Sequence, residues 1–194
     1  RTDDDARAAD LQTALADPAV AAIIAIRGGA WFARTLRLCD FSALDRRKTK
    51  VAVFGFSEMT PLINIVAASP SGLGVYDMGP AFLTYGLRHF TLTRGQSARH
   101  DGQSPEQWVE SRLHDECRAY FQGVVNLIEG RGEGATLTAR CVLGDVPDSF
   151  QATFVGGNLT VLSTLVGSRY EKCIDPTNRW VVLEDFNDKP ERFD

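Results

Sequence analysis

Ser57 stands where a hydroxyl could act as a nucleophile. It follows the apolar run Lys50-Val51-Ala52-Val53-Phe54 and precedes a helical pattern from Thr60 to Ala68, which places it on a strand-to-helix turn. A serine on such a turn is held above the carboxyl edge of a sheet, with the following backbone N–H groups aimed at a developing oxyanion. Gly55-Phe56-Ser57-Glu58-Met59 contains the first glycine of a GxSxG elbow and lacks the second. On the pattern alone, a serine here suits the N-cap of the following helix better than it suits the elbow. Glu184 and Asp185 close the apolar run Trp180 to Leu183. A carboxylate at a strand end can orient a histidine, as the third member of a triad does, or it can simply be solvated in a turn. Arg27-Gly28-Gly29 also follows a strand end, where glycines let backbone N–H groups approach a substrate or merely make a tight turn. Gly156-Gly157-Asn158 carries the same two readings, and neither glycine segment is a GxGxxG dinucleotide fingerprint.

These residues need elements to position them. Thr2 and Asp3 to Asp5 open a helix whose apolar face is Ala8, Leu11, Ala14 and Leu15, and Asp17-Pro18 stops it. Ala21 to Ile26 is a continuous apolar run of strand length, the signature of a strand covered on both faces. A short helix is expected from Trp31 to Leu38. Pro61 suits the first turn of the helix after Ser57, and Leu73 to Tyr76 reads as a third strand. This alternation predicts an α/β fold, a mainly parallel sheet with flanking helices that carries the serine on a strand-turn-helix. Beyond it, residues 91–105 read as a loop and Pro105 to Ile128 as a helix with Trp108, Leu113, Cys117 and Phe121 along one side. Thr136 to Leu143 and Phe150 to Val155 alternate as strands do, Leu159 to Val166 reads as an apolar helix, and Arg179 to Leu183 as a buried strand. The expected organisation is a nucleophile domain over 1–90, a connecting insertion over 91–134, and the start of a second α+β domain over 135–194.

Composition removes several function classes. With 21 Lys+Arg against 25 Asp+Glu in 194 residues the formal charge is −4, without the basic excess that favours nucleic acid. No apolar run reaches membrane-span length. Cys39, Cys117, Cys141 and Cys173 are far apart, so no zinc or redox motif is present, no metal or cofactor is expected, and a reducing, cytoplasmic setting fits. Of the three histidines, His100 lies in the polar loop, His114 on an exposed helix face, and His89 after a turn; none has the setting of a base.

The ordered set of motifs resembles the LD-carboxypeptidase family of serine peptidases, which includes the microcin C self-immunity peptidases. The matching pieces are Asp3-Asp4-Asp5-Ala6-Arg7-Ala8-Ala9-Asp10-Leu11, Ala25-Ile26-Arg27-Gly28-Gly29, Gly55-Phe56-Ser57-Glu58-Met59-Thr60, Gly79-Pro80, Gly156-Gly157-Asn158-Leu159 and Leu183-Glu184-Asp185. The resemblance implies a two-domain homodimeric enzyme that hydrolyses an amide bond of a peptide substrate with a serine, a glutamate and a histidine. Ser57 would be the nucleophile and Glu184 the residue that orients the histidine. The N–H of Glu58 and one from the loop Gly28, Gly29, Ala30 and Trp31 would form the oxyanion hole, with Asn158 among the substrate-binding residues. Glu58 stands where the family usually has Asp, and Ala30-Trp31 where it has an aromatic residue and Gly. In the family, strands precede the first helix and the histidine lies well downstream of the Leu-Glu-Asp strand. The resemblance therefore implies chain before Arg1 and after Asp194, and residues 1–194 alone are expected to be inactive with apolar sheet surface exposed.

Two functions from different classes follow. One is a serine carboxypeptidase acting on the LD bond of a cell-wall precursor peptide or on a peptide-nucleotide antibiotic, with residues 88–134 as a recognition wall and Trp108 as a stacking or core residue. The other is a non-catalytic fragment or a small-molecule or peptide-binding α/β module. A downstream histidine and labelling by a fluorophosphonate discriminate between them.

Overall fold

The computed structural model describes residues 3–30, 32–83, 105–131, 141–145 and 151–185. The first half is an α/β layer. Helix α1 (Asp4–Ala16) leads to strand β1 (Ala22–Ile24), then α2 (Phe32–Leu36), α3 (Ser42–Arg46) and β2 (Val51–Gly55). A single 3₁₀ turn, Ser57–Met59, joins β2 to α4 (Thr60–Ala67), and β3 (Gly72–Tyr76) follows. The three strands are parallel in the order β1-β2-β3, with Ile24 opposite Phe54 and Gly55 opposite Tyr76.

The central strand explains the order. Every residue of β2 is buried, because Val51 and Val53 face Leu15, Leu36, Leu44, Leu62 and Val66, while Ala52 and Phe54 face the opposite side. Full burial of side chains such as Val51, Val53, Leu62 and Val66 contributes about 1.5–3 kcal/mol each. The opposite side is covered by the long helix α5 (Pro105–Ile128), whose Tyr120, Val124 and Ile128 pack on Ala52 and Phe54. The segment expected as an insertion thus closes one face of the sheet.

Helix α1 ends in a buried cation that periodicity does not reveal. The Arg47 guanidinium donates to the carbonyls of Leu15 at 2.8 Å, Asp17 at 2.7 Å and Val20, and through Nε to Thr49 at 3.0 Å. It satisfies carbonyls that a helix end leaves without partners. At the other end of α1, Asp4 pairs with Arg34 of α2 at 2.9 Å.

Further along the chain, β4 (Phe154–Asn158), α6 (Leu159–Ser163), a 3₁₀ turn at Glu171–Ile174 and β5 (Trp180–Glu184) form a second unit, in which β4 and β5 pair in parallel and Asn158 lies opposite Glu184. Leu165 is buried in the same core as Val51 and Leu62, so this unit packs on the helical side of the first sheet.

Several expectations shift here. Strand β1 is shorter than Ala21–Ile26 and only half-buried, with Ile26 70% exposed, because it lies at the end of the β1-β2-β3 sheet. Gly156 and Gly157 are not a turn but part of β4, and the strand expected over Phe150–Val155 is displaced towards them. The helix expected to run to Val166 ends at Ser163. Strand β5 forms where expected but is half-exposed, with Val182 at 52%, rather than buried. The loop expected over 91–105, apart from Pro105, and the residues of the expected Thr136–Leu143 strand before Cys141 lie outside the described residues; Cys141 to Leu143 are not in a strand. None of the helices among the described residues is long and apolar enough to cross a membrane.

Candidate active site

The carboxyl ends of the parallel strands converge on one region, and each carries a residue of interest. Strand β2 runs out at Gly55, Phe56 is extended, and Ser57 then turns with φ +55°. Left-handed backbone costs a residue with a Cβ about 1–2 kcal/mol, and such strain persists only where the surroundings impose it. Ser57 therefore sits half-buried at the sharp bend and is not an N-cap: neither the 3₁₀ turn nor α4 has a side-chain cap hydrogen bond. Met59 takes the place of the second glycine of the elbow because Gly55 yields the room; a Cβ at 55 would lie 2.8 Å from that of Met59.

The loop after β1 is drawn against the serine. A Cβ on Gly28 would lie 3.0 Å from the Ser57 Cβ, and one on Gly29 would lie 2.3 Å from the Glu58 carboxylate. That carboxylate accepts from the Phe32 N–H at 2.8 Å, so the Glu58 side chain tethers the start of α2 while its backbone follows the serine. Ala30 is exposed in this loop, and Trp31 lies outside the described residues. A cavity of about 370 Å³ opens beside it, walled in part by Arg7, Arg27, Gly28, Gly29, Glu58 and Met59.

Glu184 reaches the same region from β5. Its carboxylate accepts the Tyr76 hydroxyl proton, and the same hydroxyl oxygen accepts the Ser57 N–H at 3.0 Å. Ser57 and Glu184 are thus two hydrogen bonds apart through a tyrosine that the sequence reading passed over. Burial, followed by the hydrogen bond to Glu184, pushes the Tyr76 phenol up to about 12. A polar-tipped aromatic at the carboxyl end of a parallel strand was the available signal. Strand alternation sends Asp185 the other way, where it accepts from the Thr160 N–H at 2.9 Å and the Thr160 hydroxyl at 2.7 Å.

Asn158 is held by three hydrogen bonds of its own. Its Oδ1 accepts from the Val161 N–H at 3.0 Å as the N-cap of α6, its Nδ2 donates to Asp185 at 3.2 Å, and its N–H donates to Thr60 Oγ1 at 3.0 Å. Thr60 Oγ1 in turn donates to the Ser57 carbonyl at 2.7 Å, so Asn158 supports the serine turn from behind. Among the described residues the single histidine is His114, exposed on α5 beside Asp115; His89 and His100 lie outside them, as does the Trp108 side chain.

Comparison with known proteins bears on the family of the chain. Residues 1–76 match the family described as the LD-carboxypeptidase N-terminal domain. A Bacillus subtilis (strain 168) protein named "Putative carboxypeptidase YocD" is 28% identical over 178 residues, covering 86% of this chain and 48% of that protein. A Streptomyces coelicolor (strain ATCC BAA-471 / A3(2) / M145) protein named "Putative carboxypeptidase SCO6489" is 36% identical over 133 residues, covering 68% of this chain and 38% of that protein. The chain spans about half the length of the first relative and less of the second. With residues 1–76 matched and both relatives named as carboxypeptidases, the comparisons support assigning the chain to the LD-carboxypeptidase family.

Proposed function

We propose that this chain carries the nucleophile and the orienting carboxylate of a serine carboxypeptidase that hydrolyses an amide bond in a peptide. The observation that carries the reading is the left-handed Ser57 at the end of a buried parallel strand, with Glu184 held two hydrogen bonds away. In the mechanism, the Ser57 hydroxyl attacks the scissile carbonyl while an imidazole takes its proton. Glu184 holds that imidazole in the donating tautomer, and the imidazole later protonates the leaving amine. The N–H of Glu58 and an N–H of the Gly28–Trp31 loop stabilise the oxyanion. The proposal includes a histidine supplied by chain outside the described residues, since His114 is exposed on α5.

Within this reading the substrate is the LD-linked peptide of a cell-wall precursor, with a peptide-nucleotide antibiotic as the other option, and the enzyme is a cytoplasmic homodimer. The domain division at 90 and 134 belongs to the proposal as well. The test uses the product of the complete reading frame. Fluorophosphonate labelling and turnover of an LD-linked tetrapeptide should both be present and both be lost in Ser57→Ala, with a loss of about 10³-fold or more. Labelling that survives Ser57→Ala would overturn Ser57 as the nucleophile, and a parent protein that takes no label would favour a non-catalytic module.

A further inference from the structure

Tyr76 has a geometry that the serine-peptidase reading, on which this inference rests, does not yet use. It ends β3 level with Gly55 at the end of β2, where Asp77 N–H donates to the Gly55 carbonyl at 2.8 Å. The neighbouring Asp77 carboxylate is itself held by the Tyr120 hydroxyl of α5 at 2.5 Å. On its other side the ring lies against β4, where a Cβ on Gly157 would come within 2.8 Å of the ring edge. The tyrosine is therefore pinned between the sheet that carries Ser57 and the strand pair that carries Glu184.

The direction of the hydrogen bonds is fixed by chemistry. A backbone N–H can only donate, so the phenol oxygen must accept from Ser57, and its one proton is left for Glu184. That bond uses one carboxylate oxygen and leaves the second for an imidazole. Because the phenol is pushed up to about 12, it stays protonated at working pH and is no candidate for a base. We propose that Tyr76 is a positioning residue of the serine site: its hydroxyl ties the Ser57 backbone to Glu184 and sets the carboxylate at the spacing in which an imidazole fits between Glu184 and the Ser57 hydroxyl.

The test is a double-mutant cycle on the complete gene product, read as the second-order rate of labelling by a fluorophosphonate. Tyr76→Phe should slow labelling by about 10- to 100-fold, with an unchanged unfolding midpoint in urea at neutral pH to within about 0.5 M. In a Glu184→Ala background the same substitution should slow it by less than about 2-fold, because the hydroxyl acts through the carboxylate. Losses that multiply, or full activity in Tyr76→Phe, would overturn the proposal. Should the Phe variant fail to fold, 3-fluorotyrosine at position 76 keeps the ring and both hydrogen bonds. It must retain labelling within about 3-fold if the hydroxyl is the active feature, and a larger loss would count against it. Ser57→Ala separates the two levels: surviving label there removes Ser57 as the nucleophile and with it the proposed site, whereas its absence with multiplicative Tyr76 and Glu184 losses removes the positioning role alone.

Discussion

Asn64 on α4 and Gly156 on β4 pair amide to amide across 92 residues: the side-chain Nδ2 donates to the Gly156 carbonyl at 2.7 Å and the Gly156 N–H donates to Oδ1 at 3.1 Å. The side chain acts as a neighbouring strand would, completing the edge of β4. Through this pair the strand unit that bears Glu184 is registered to the helix that begins at the serine turn.

Replacing Asn64 by Leu should therefore cost more than one ordinary hydrogen bond. Asn64 is buried, and the substitution leaves the Gly156 N–H and carbonyl without partners in a partly buried setting. A loss on the order of 2–4 kcal/mol is expected in urea unfolding. A loss under about 0.5 kcal/mol would show that water satisfies the strand edge.

Backbone strain at Ser57 makes a prediction that separates stability from chemistry. Both Ser57→Gly and Ser57→Ala remove the hydroxyl, so both should abolish labelling. Only glycine adopts φ +55° without a Cβ penalty, and the Gly variant should exceed the Ala variant in stability by about 1 kcal/mol. Equal stabilities would mean that the turn relaxes in solution.

Gly156 tolerates no side chain. Its φ is +141°, and a Cβ would lie 1.9 Å from the Val182 carbonyl of the paired strand. Gly156→Ala should break the β4–β5 pairing and destabilise by about 3 kcal/mol or more, with loss of activity because Glu184 moves. Thermal unfolding and labelling of the same sample check both halves; a variant as stable as the parent would contradict this packing.

Alkaline stability should follow Tyr76. Its folded-state phenol is raised from 10.0 to about 12, so the folded protein holds a proton that the unfolded chain releases. The stabilisation is present below about pH 10 and lost as pH climbs from 10 towards 12. Tyr120, also raised by burial and by Asp77, adds to the fall in the same direction. Urea midpoints measured between pH 8 and pH 11.5 should drop, and the drop should be smaller in Tyr76→Phe. An identical drop in the variant would assign it to other groups.

What local pattern can encode was visible in the chain itself. Val51 to Phe54 reads as a covered strand, the span Pro105 to Ile128 as a helix to the residue, and Ser57 as a turn between strand and helix, because hydrophobic period and proline placement act within a few residues. Long-range partnership decided the rest. Nothing local separates Arg47 from the other cations of the chain, yet three carbonyls from α1 and its C-terminal flank, together with that of Thr49, converge on it. Gly156-Gly157 reads either as a tight turn or as a place of close backbone approach, and the nearness of β5 and Tyr76 makes glycine the residue that fits in a strand there. Asn158 enters as a substrate-binding residue only through the family resemblance, and its capping bond to α6 is visible only in the structure. The apolar run of β5 reads as buried, although its exposure depends on which layers cover it, a property no run of residues contains. Glu184 and Tyr76 are 108 residues apart, and neither has a local periodicity that names the other. Their meeting is set by sheet register and by the packing of two units on one core, and so only the tertiary structure determines it.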